Sequence, residues 1–300
     1  MEMARITYWC LYGQEMRINL FFGGEKKMIE KLPGAKKKYE KEDRMRNLKA
    51  LIIAMVFIPM VSFAQMRVKA SDILDQINNG KAVNYKDAEI VGDLNFTAVK
   101  DVEREGSNHW FIIRSNRSYS CHVKSQVSFI NCTFLGDVLA YVHNDDENET
   151  RNAVFHEDVD FEGCEFRRES AFKYAKFLKK ANFVNTKYHE EALFKYARFS
   201  TEVSFSKACF YDDANFKYAK FPDAVSFAGT IFKHDADFKY TKFPRGVSFA
   251  TAEFRGYADF KYTKFSEPLN FEGTVFEEDA EFKYAKVDGR SFTLHLLRRR

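Results

Sequence analysis

The sequence predicts an all-β protein, a four-sided parallel β-helix with about 22 residues per coil and a short N-terminal helix as its cap. Three observations carry this. A six-residue word, Phe-Lys-Tyr-Ala-Lys-Phe, starts at Phe172 and returns with small changes, evenly spaced, at Phe194, Phe216, Phe238, Phe260 and Phe282. Within each unit, large apolar residues fall at alternating steps of five and six, as in Phe216, Phe221, Phe227, Phe232 and Phe238. Two residues before nearly every such Phe sits a small or β-branched residue: Ala214, Ala219, Val225, Thr230, Ala236. A fixed period of roughly 20 to 50 residues marks a solenoid.

Residues 1–44 differ from the rest. They are basic and show no sustained period. From Met45 a positive segment (Arg46, Lys49) precedes the apolar run Leu51–Val61, and Ser62-Phe63-Ala64 supplies small residues three and one before Gln65. Residues 45–64 therefore read as a secretory signal peptide cleaved after Ala64. The run is shorter than the roughly 20 residues of a membrane span, so no stable span is expected after cleavage. A signal this far from the start implies translation from Met45, with residues 1–44 an over-extended or disordered N-terminal extension. No Cys follows the cleavage site to carry a lipid. The expected address is outside the cytoplasm, periplasmic or extracellular. Charge agrees with such a division: residues 1–64 carry 12 Lys/Arg and 7 Asp/Glu, residues 65–300 carry 35 and 36. A near-neutral mature chain does not point to nucleic acid.

Residues 65–153 should hold the cap and the irregular early coils. Ala70–Asn79 reads as a helix, with Ser71 as its cap, Ile73, Leu74 and Ile77 as its apolar face and Gly80 as its end. That face covers the open end of the solenoid. Ala88-x-Ile90 followed by Leu94-x-Phe96 is a first, degenerate coil. Residues 97–124 break the period. Strand-like Trp110-Phe111-Ile112-Ile113 and turn-like Ser115-Asn116-Arg117-Ser118 suggest an inserted β-hairpin. Val127-x-Phe129 and Cys132-x-Phe134 resume the period, and polar Asn144–Asn152 reads as an exposed acidic loop.

Residues 154–292 form the regular array. Of 32 Phe, 24 lie between Phe155 and Phe292, which places the core there. Steps of five and six match neither a flat strand nor a helix; they fit short extended segments joined by corners. The Phe and the residue two before it point inward, and their neighbours outward. Four sides close one coil, and coils stacked about 4.8 Å apart place identical residues in columns. After Val287 the register slips to Phe292, so residues 293–300 read as a C-terminal cap or tail over an edge that invites association. End-to-end or side-by-side dimers are the association such a rod allows.

With these residues in view, the chain resembles the pentapeptide-repeat family, whose tandem fives carry a central Leu or Phe and a small residue two before it. The resemblance is strong over 155–287 and weak over 86–140. It implies a right-handed, four-sided parallel β-helix. The extra residue at alternate corners departs from the family pattern and implies two wider corners of four. Some cytoplasmic members of that family resemble DNA and act on DNA gyrase. That role needs a strongly acidic surface, against which stand this chain's neutral balance, cationic columns and export signal.

Chemistry-bearing motifs are scarce. No Cys pair has zinc or redox spacing, and Cys132 and Cys164 occupy small inward positions. Cys121 with Cys132 is a sequence-level disulfide candidate, though free thiols are the favoured reading. His109, His122 and His156 have no partner at ligand spacing, and no hydrolase or zincin motif occurs. The expectation is a non-enzymatic scaffold with no catalytic, cofactor-binding or metal residues. The one patterned surface is the Lys-Tyr-x-Lys part of the word. Lys195, Lys217, Lys239 and Lys261, in a column from Lys173 to Lys283, flank Tyr196, Tyr218, Tyr240 and Tyr262, in a column from Tyr174 to Tyr284. Beyond them run Lys176, Arg198, Lys220, Lys242, Lys264 and Lys286. Stacked like charges repel. Acidic columns (Glu169, Glu191, Asp213, Asp235 and Asp279, with Asp237, Asp259 and Glu281) are placed to pair with them. Two readings stand open. One is structural: duplication copies the surface with the core, and the strip keeps the rod in solution. The other is binding of a protein partner or of a glycan or anionic envelope polymer along the strip.

Overall fold

The computed structural model describes the backbone of residues 3–9 and 15–21, and residues 65–106 and 117–293 with their side chains. The signal segment 45–64, the stretch Trp110-Phe111-Ile112-Ile113 and the tail after Thr293 lie outside the described residues. The chain divides into two units, Met1–Ala64 and Gln65–Arg300. In the first, β1 (Met3–Trp9) and β2 (Glu15–Phe21) pair antiparallel, with Met3 opposite Phe21. No sequence period foretells that pair.

The second unit is a right-handed parallel β-helix. Its chain visits four sides in turn, whose inward Phe columns pass through Phe166, Phe172, Phe177 and Phe183. From Phe155 onward each position meets its equivalent one coil later: Phe155 pairs with Phe177, Phe166 with Tyr188 and Ala192 with Ala214. Rings within a column lie face to face; Phe216 stacks on Phe238 at 5.1 Å and 4°. Rings of neighbouring columns meet edge to face, as Phe216 and Phe227 do at 5.3 Å and 83°. Both geometries suit the ring quadrupole. The small inward positions let the backbone close around these rings: Ala197, Ala208 and Ala252 are fully buried. Where Thr replaces Ala, its hydroxyl donates to a carbonyl inside the wall, Thr241 to Phe216 (2.9 Å) and Thr263 to Phe238 (2.7 Å). These two buried threonine hydroxyls are thus satisfied.

Corners alternate as the step lengths imply. Five-residue corners close on a hydrogen bond from the small residue's N–H to the preceding Phe carbonyl, such as Ala197 to Phe194 (3.0 Å) and Ala208 to Phe205 (3.0 Å), and at Phe183 the Thr186 hydroxyl donates (2.7 Å). The six-residue corners, for example Phe177 to Phe183, are the wider bends. On the third side, Ser200 and Ser266 donate to Phe177 and Phe243 of the coil before (2.9 and 3.0 Å). Pro222 and Pro244 have no N–H to give, and the sheet thins there to single bridges at Lys220.

The early coils are enlarged between the second and third sides. Ile90 pairs with Phe134 and Phe134 with Phe166, so both early turns span more chain than a regular coil. The first excursion pairs β7 (Val102–Arg104) antiparallel with β8 (Arg117–Val123). The second pairs β12 (Tyr141–Asn144) with β13 (Glu149–Phe155). The exposed loop expected over Asn144–Asn152 is therefore only the turn at its tip. Glu149, Thr150 and Asn152 are buried in β13, because β8 supplies a parallel partner along its whole length.

The cap is a helix, α1 (Ala70–Asn78). Ile73 and Ile77 are buried and Leu74 packs against the core. It rests on β3 (Met66–Lys69), β4 (Val83–Lys86) and β6 (Leu94–Asn95), the first strands of three sides. Ser71 does not cap it: the N-cap is Lys69 without a side-chain bond, and the Ser71 hydroxyl donates to Asp72 (3.3 Å). At the other end Phe292 stacks on Phe282 at 4.2 Å and 5°. Cys121, Cys132, Cys164 and Cys209 are free thiols. Cys132 does not bridge to Cys121, because the two lie on different sides of the coil. Among the described residues no helix is long and apolar enough to cross a membrane.

Candidate functional site: the tyrosine corner

The site begins with a backbone feature. In the corner between the second and third sides, the third residue of the turn has φ between +58° and +62°, and it is Tyr in six coils: Tyr174, Tyr196, Tyr218, Tyr240, Tyr262 and Tyr284. Gly or Asn suits this position; a bulky side chain there costs about 1–2 kcal/mol. The fourth-to-first corner has the same turn and the same φ sign, and there the residue varies: Asn185, Lys207, Gly229, Thr251, Gly273. The flanking positions differ likewise. Lys precedes every Tyr, whereas Val184, Ser206, Ala228, Ala250 and Glu272 precede the varied residue. Two backbone-equivalent corners thus carry opposite kinds of sequence. Duplication alone would have preserved both.

The Tyr rings lie 4.6–4.9 Å apart with planes within 5° from Tyr174 to Tyr262. From Tyr174 to Tyr262 each Tyr N–H donates to the Lys carbonyl of the next coil, as Tyr196 does to Lys217 (2.9 Å) and Tyr218 to Lys239 (3.0 Å), which fixes the spacing. Each stacked pair contributes about 0.5–1.5 kcal/mol, enough to offset much of the turn strain. Tyr174, Tyr240 and Tyr262 are more than a third exposed. At the N-terminal end Tyr141 of β12 extends the row, its ring 5.7 Å from that of Tyr174 and tilted by 45°.

The two cation columns differ. In the first, Lys239 reaches Asp237 and Asp259 (3.3 and 3.1 Å) and Lys261 reaches Asp259 (3.1 Å). Burial works against the Lys239 charge, yet these carboxylates hold its ammonium above the usual range. Lys195 and Lys217 instead lean over their own Tyr rings at 5.6 and 5.7 Å. In the second column Lys176 pairs with Glu105 (2.8 Å). Arg198, Lys220, Lys242 and Lys264 are exposed and make no ion pair among the described residues. Among the described residues, ion pairing of these columns with acidic ones thus holds at Asp237 and Asp259. Glu169 and Glu191 lie at the first-to-second corner, where burial first and then neighbouring carboxylates raise their pKa. They face one another and leave the second cation column uncompensated.

A groove of about 320 Å³ runs between the Tyr row and the second cation column, lined by Tyr174, Tyr196, Tyr218, Tyr240, Arg198, Lys220 and Lys242. A hollow of about 550 Å³ shares Tyr174 and Arg198 with it and is walled by Glu105, Tyr141, His143 and Asn152. Sequence patterning found the ladder residues. It missed Tyr141, Glu105 and Asn152, which lie in aperiodic excursions.

Glu105 clasps the first excursion to the array. Burial would raise its pKa, but hydrogen bonds from Lys176 (2.8 Å), Ser120 (2.7 Å) and Ser118 (3.1 Å) hold it at about 2, against an ordinary 4.5. A carboxyl depressed by folding contributes stability above pH 4.5 that is lost as pH falls toward 2. Thermal melts of wild type and Glu105→Gln should differ at neutral pH and converge across that window. A constant difference down to pH 2 would refute the clasp.

Two other clusters were not legible from spacing. His122 and His156 meet, Nδ1 to Nε2 at 2.8 Å, because the extra residues of the second excursion bring them onto adjacent coils. Burial first, and then His122, lower the His156 pKa. Asp212, Asp213 and His234 place one ligand atom each within 4.8 Å of one another on a partly exposed corner. Such corners occur without an ion.

The family model described as pentapeptide repeats (9 copies) matches residues 172–220, 194–242, 216–264 and 238–286. Neither the curated proteins nor the solved structures give a match.

Proposed function

Taking residues 172–286 as an array of the pentapeptide-repeat family, we propose that the chain is an exported, non-enzymatic scaffold whose tyrosine corner binds an extended anionic glycan. The contrast between the two five-residue corners carries this reading. One has drifted freely. The other keeps Lys-Tyr-x-Lys, or its Arg198 variant, in all six coils from Phe172 to Lys286 despite a strained Tyr and a cation column paired at Lys176 but not from Arg198 to Lys264 among the described residues. A scaffold needing only solubility has no use for that combination.

The chemistry fits a linear acidic polysaccharide. Ring edges, the part of the stacked row left open, meet the apolar faces of sugars, while the cation row meets carboxylates along the chain. A one-signed row on a rigid wall also steers a polyanion toward it. Polyuronate binding by the full chain should be compared with a Lys220→Ser, Lys242→Ser, Lys264→Ser variant, which removes unpaired cations only. Affinity should fall at least tenfold, and wild-type affinity should weaken as salt shortens the range of exposed charges. Equal binding by both proteins would sink the reading. Export has its own readout: N-terminal sequencing of the native protein should begin at Gln65, and a mature chain retaining residues 1–44 would overturn it.

A further inference from the structure

The groove has one closed end. At its N-terminal limit the β12–β13 excursion rises beside the Tyr row, and Glu105 crosses from the other excursion. The hollow they enclose, about 550 Å³, lies in the size range of small-ligand sites. One of its lining groups is out of place as pure structure. Asn152 is 4% exposed, and its side-chain Nδ2 has no hydrogen-bond partner. A buried amide donor left empty is destabilising unless something else satisfies it.

The other lining groups are preset. Lys173 donates to the Tyr141 hydroxyl (3.2 Å) and lies 4.4 Å from the centre of its ring. Lys176 is held by Glu105, which leaves Arg198, free of ion pairs among the described residues, as the exposed cation at the mouth. The hollow thus offers an aromatic edge, an ionised acceptor, an unpaired guanidinium and, just inside its wall, an amide donor without a partner. We infer that it is an end subsite, taking a single carboxylated sugar residue at the terminus of the polymer that lies in the groove. The carboxylate meets Arg198 and the sugar ring lies against the open edge of Tyr174, whose faces are covered by Tyr141 and Tyr196. One hydroxyl accepts from Asn152 Nδ2, which a turn of the amide brings to the hollow from its sealed position, and another donates to Glu105. A monosaccharide ending there and a chain continuing along the Tyr row are two parts of one site. This rests on the glycan reading above.

Glucuronate as the free monosaccharide, and a long polyuronate, separate the two claims. Titrated into the full chain and followed by calorimetry, glucuronate should saturate at one site per chain. Asn152→Ala should weaken it at least tenfold while the melting temperature holds or rises, since an unsatisfied buried donor has been removed. Asn152→Ser, which keeps a small donor, guards against a packing defect in the Ala variant and should retain part of the binding. The Lys220→Ser, Lys242→Ser, Lys264→Ser variant should bind glucuronate as wild type does. If polyuronate binds but glucuronate does not, or if Asn152→Ala binds glucuronate unchanged, the end subsite is refuted and the groove survives. If glucuronate binds and polyuronate gains nothing over it, the groove is refuted, and the end subsite falls with it as the terminus of a polymer site. A preference for a peptide C-terminal carboxylate over glucuronate in the same titration would overturn the sugar assignment.

Discussion

Phe238→Ala should cost about 3–5 kcal/mol of stability, the full cost of deleting a buried ring. Phe238 is fully buried. It stacks on Phe216 and Phe260 at 5.1 and 5.0 Å and meets Phe227 and Phe249 edge-on at 5.3 and 5.5 Å. A cavity is cheaper where its walls can collapse, and here they cannot. The Phe238 N–H donates to Asp259 of the next coil (2.8 Å), and its carbonyl accepts from Thr263 (2.7 Å), so the wall is fixed on the side facing the vacancy. Phe276→Ala, near the end of the array and only half-buried, should cost distinctly less. Urea melts followed by circular dichroism read both, and a Phe238→Ala loss below about 1 kcal/mol would refute the packed column.

What the sequence made legible follows from its period. Columns of Phe, inward Ala and Thr, and outward Lys and Tyr are consequences of a fixed repeat with steps of five and six. The apolar face of α1 was legible for the same reason, as a local periodicity. Three things were not. The strained conformation of the Tyr residues was hidden because Tyr is not a residue that announces a positive φ. The pairing of β12 with β13 was hidden because polar Glu149, Thr150 and Asn152 look like loop until β8 supplies a partner strand. The inequality of the two cation columns was hidden because it depends on which carboxylate reaches across a corner. Asp259 does so for Lys239 and Lys261. Glu169 and Glu191, equally regular in sequence, sit at another corner.

The second large effect separates the core's period from the surface's. One step of five and one of six make half a coil, so the Phe columns have half the period of the Lys-Tyr-x-Lys word. Removing one full coil, Lys217–Phe238, should leave a folded protein. Phe216 then leads into Lys239-Tyr240-Thr241-Lys242-Phe243, and one coil is lost with one of its interfaces. Removing only half a coil, Lys217–Phe227, should also leave it folded. Phe216 then leads into Ala228-Gly229-Thr230-Ile231-Phe232, a five-residue corner with its positive φ at Gly229. Phe232 stacks beneath Phe199, Phe238 beneath Phe205, and every later ring still meets a ring. On the surface the outcomes diverge. The full-coil deletion shortens the Tyr row by one ring and leaves it continuous. The half-coil deletion carries Tyr240, Tyr262 and Tyr284 to the opposite corner and leaves Tyr174 and Tyr196 behind. Both variants should melt cooperatively with the β-helix dichroism intact, yet only the half-coil deletion should lose polyuronate affinity, by tenfold or more. If the half-coil variant fails to fold while the full-coil variant folds, the core's half-period is wrong. If both fold and bind alike, continuity of the tyrosine corner has no part in binding.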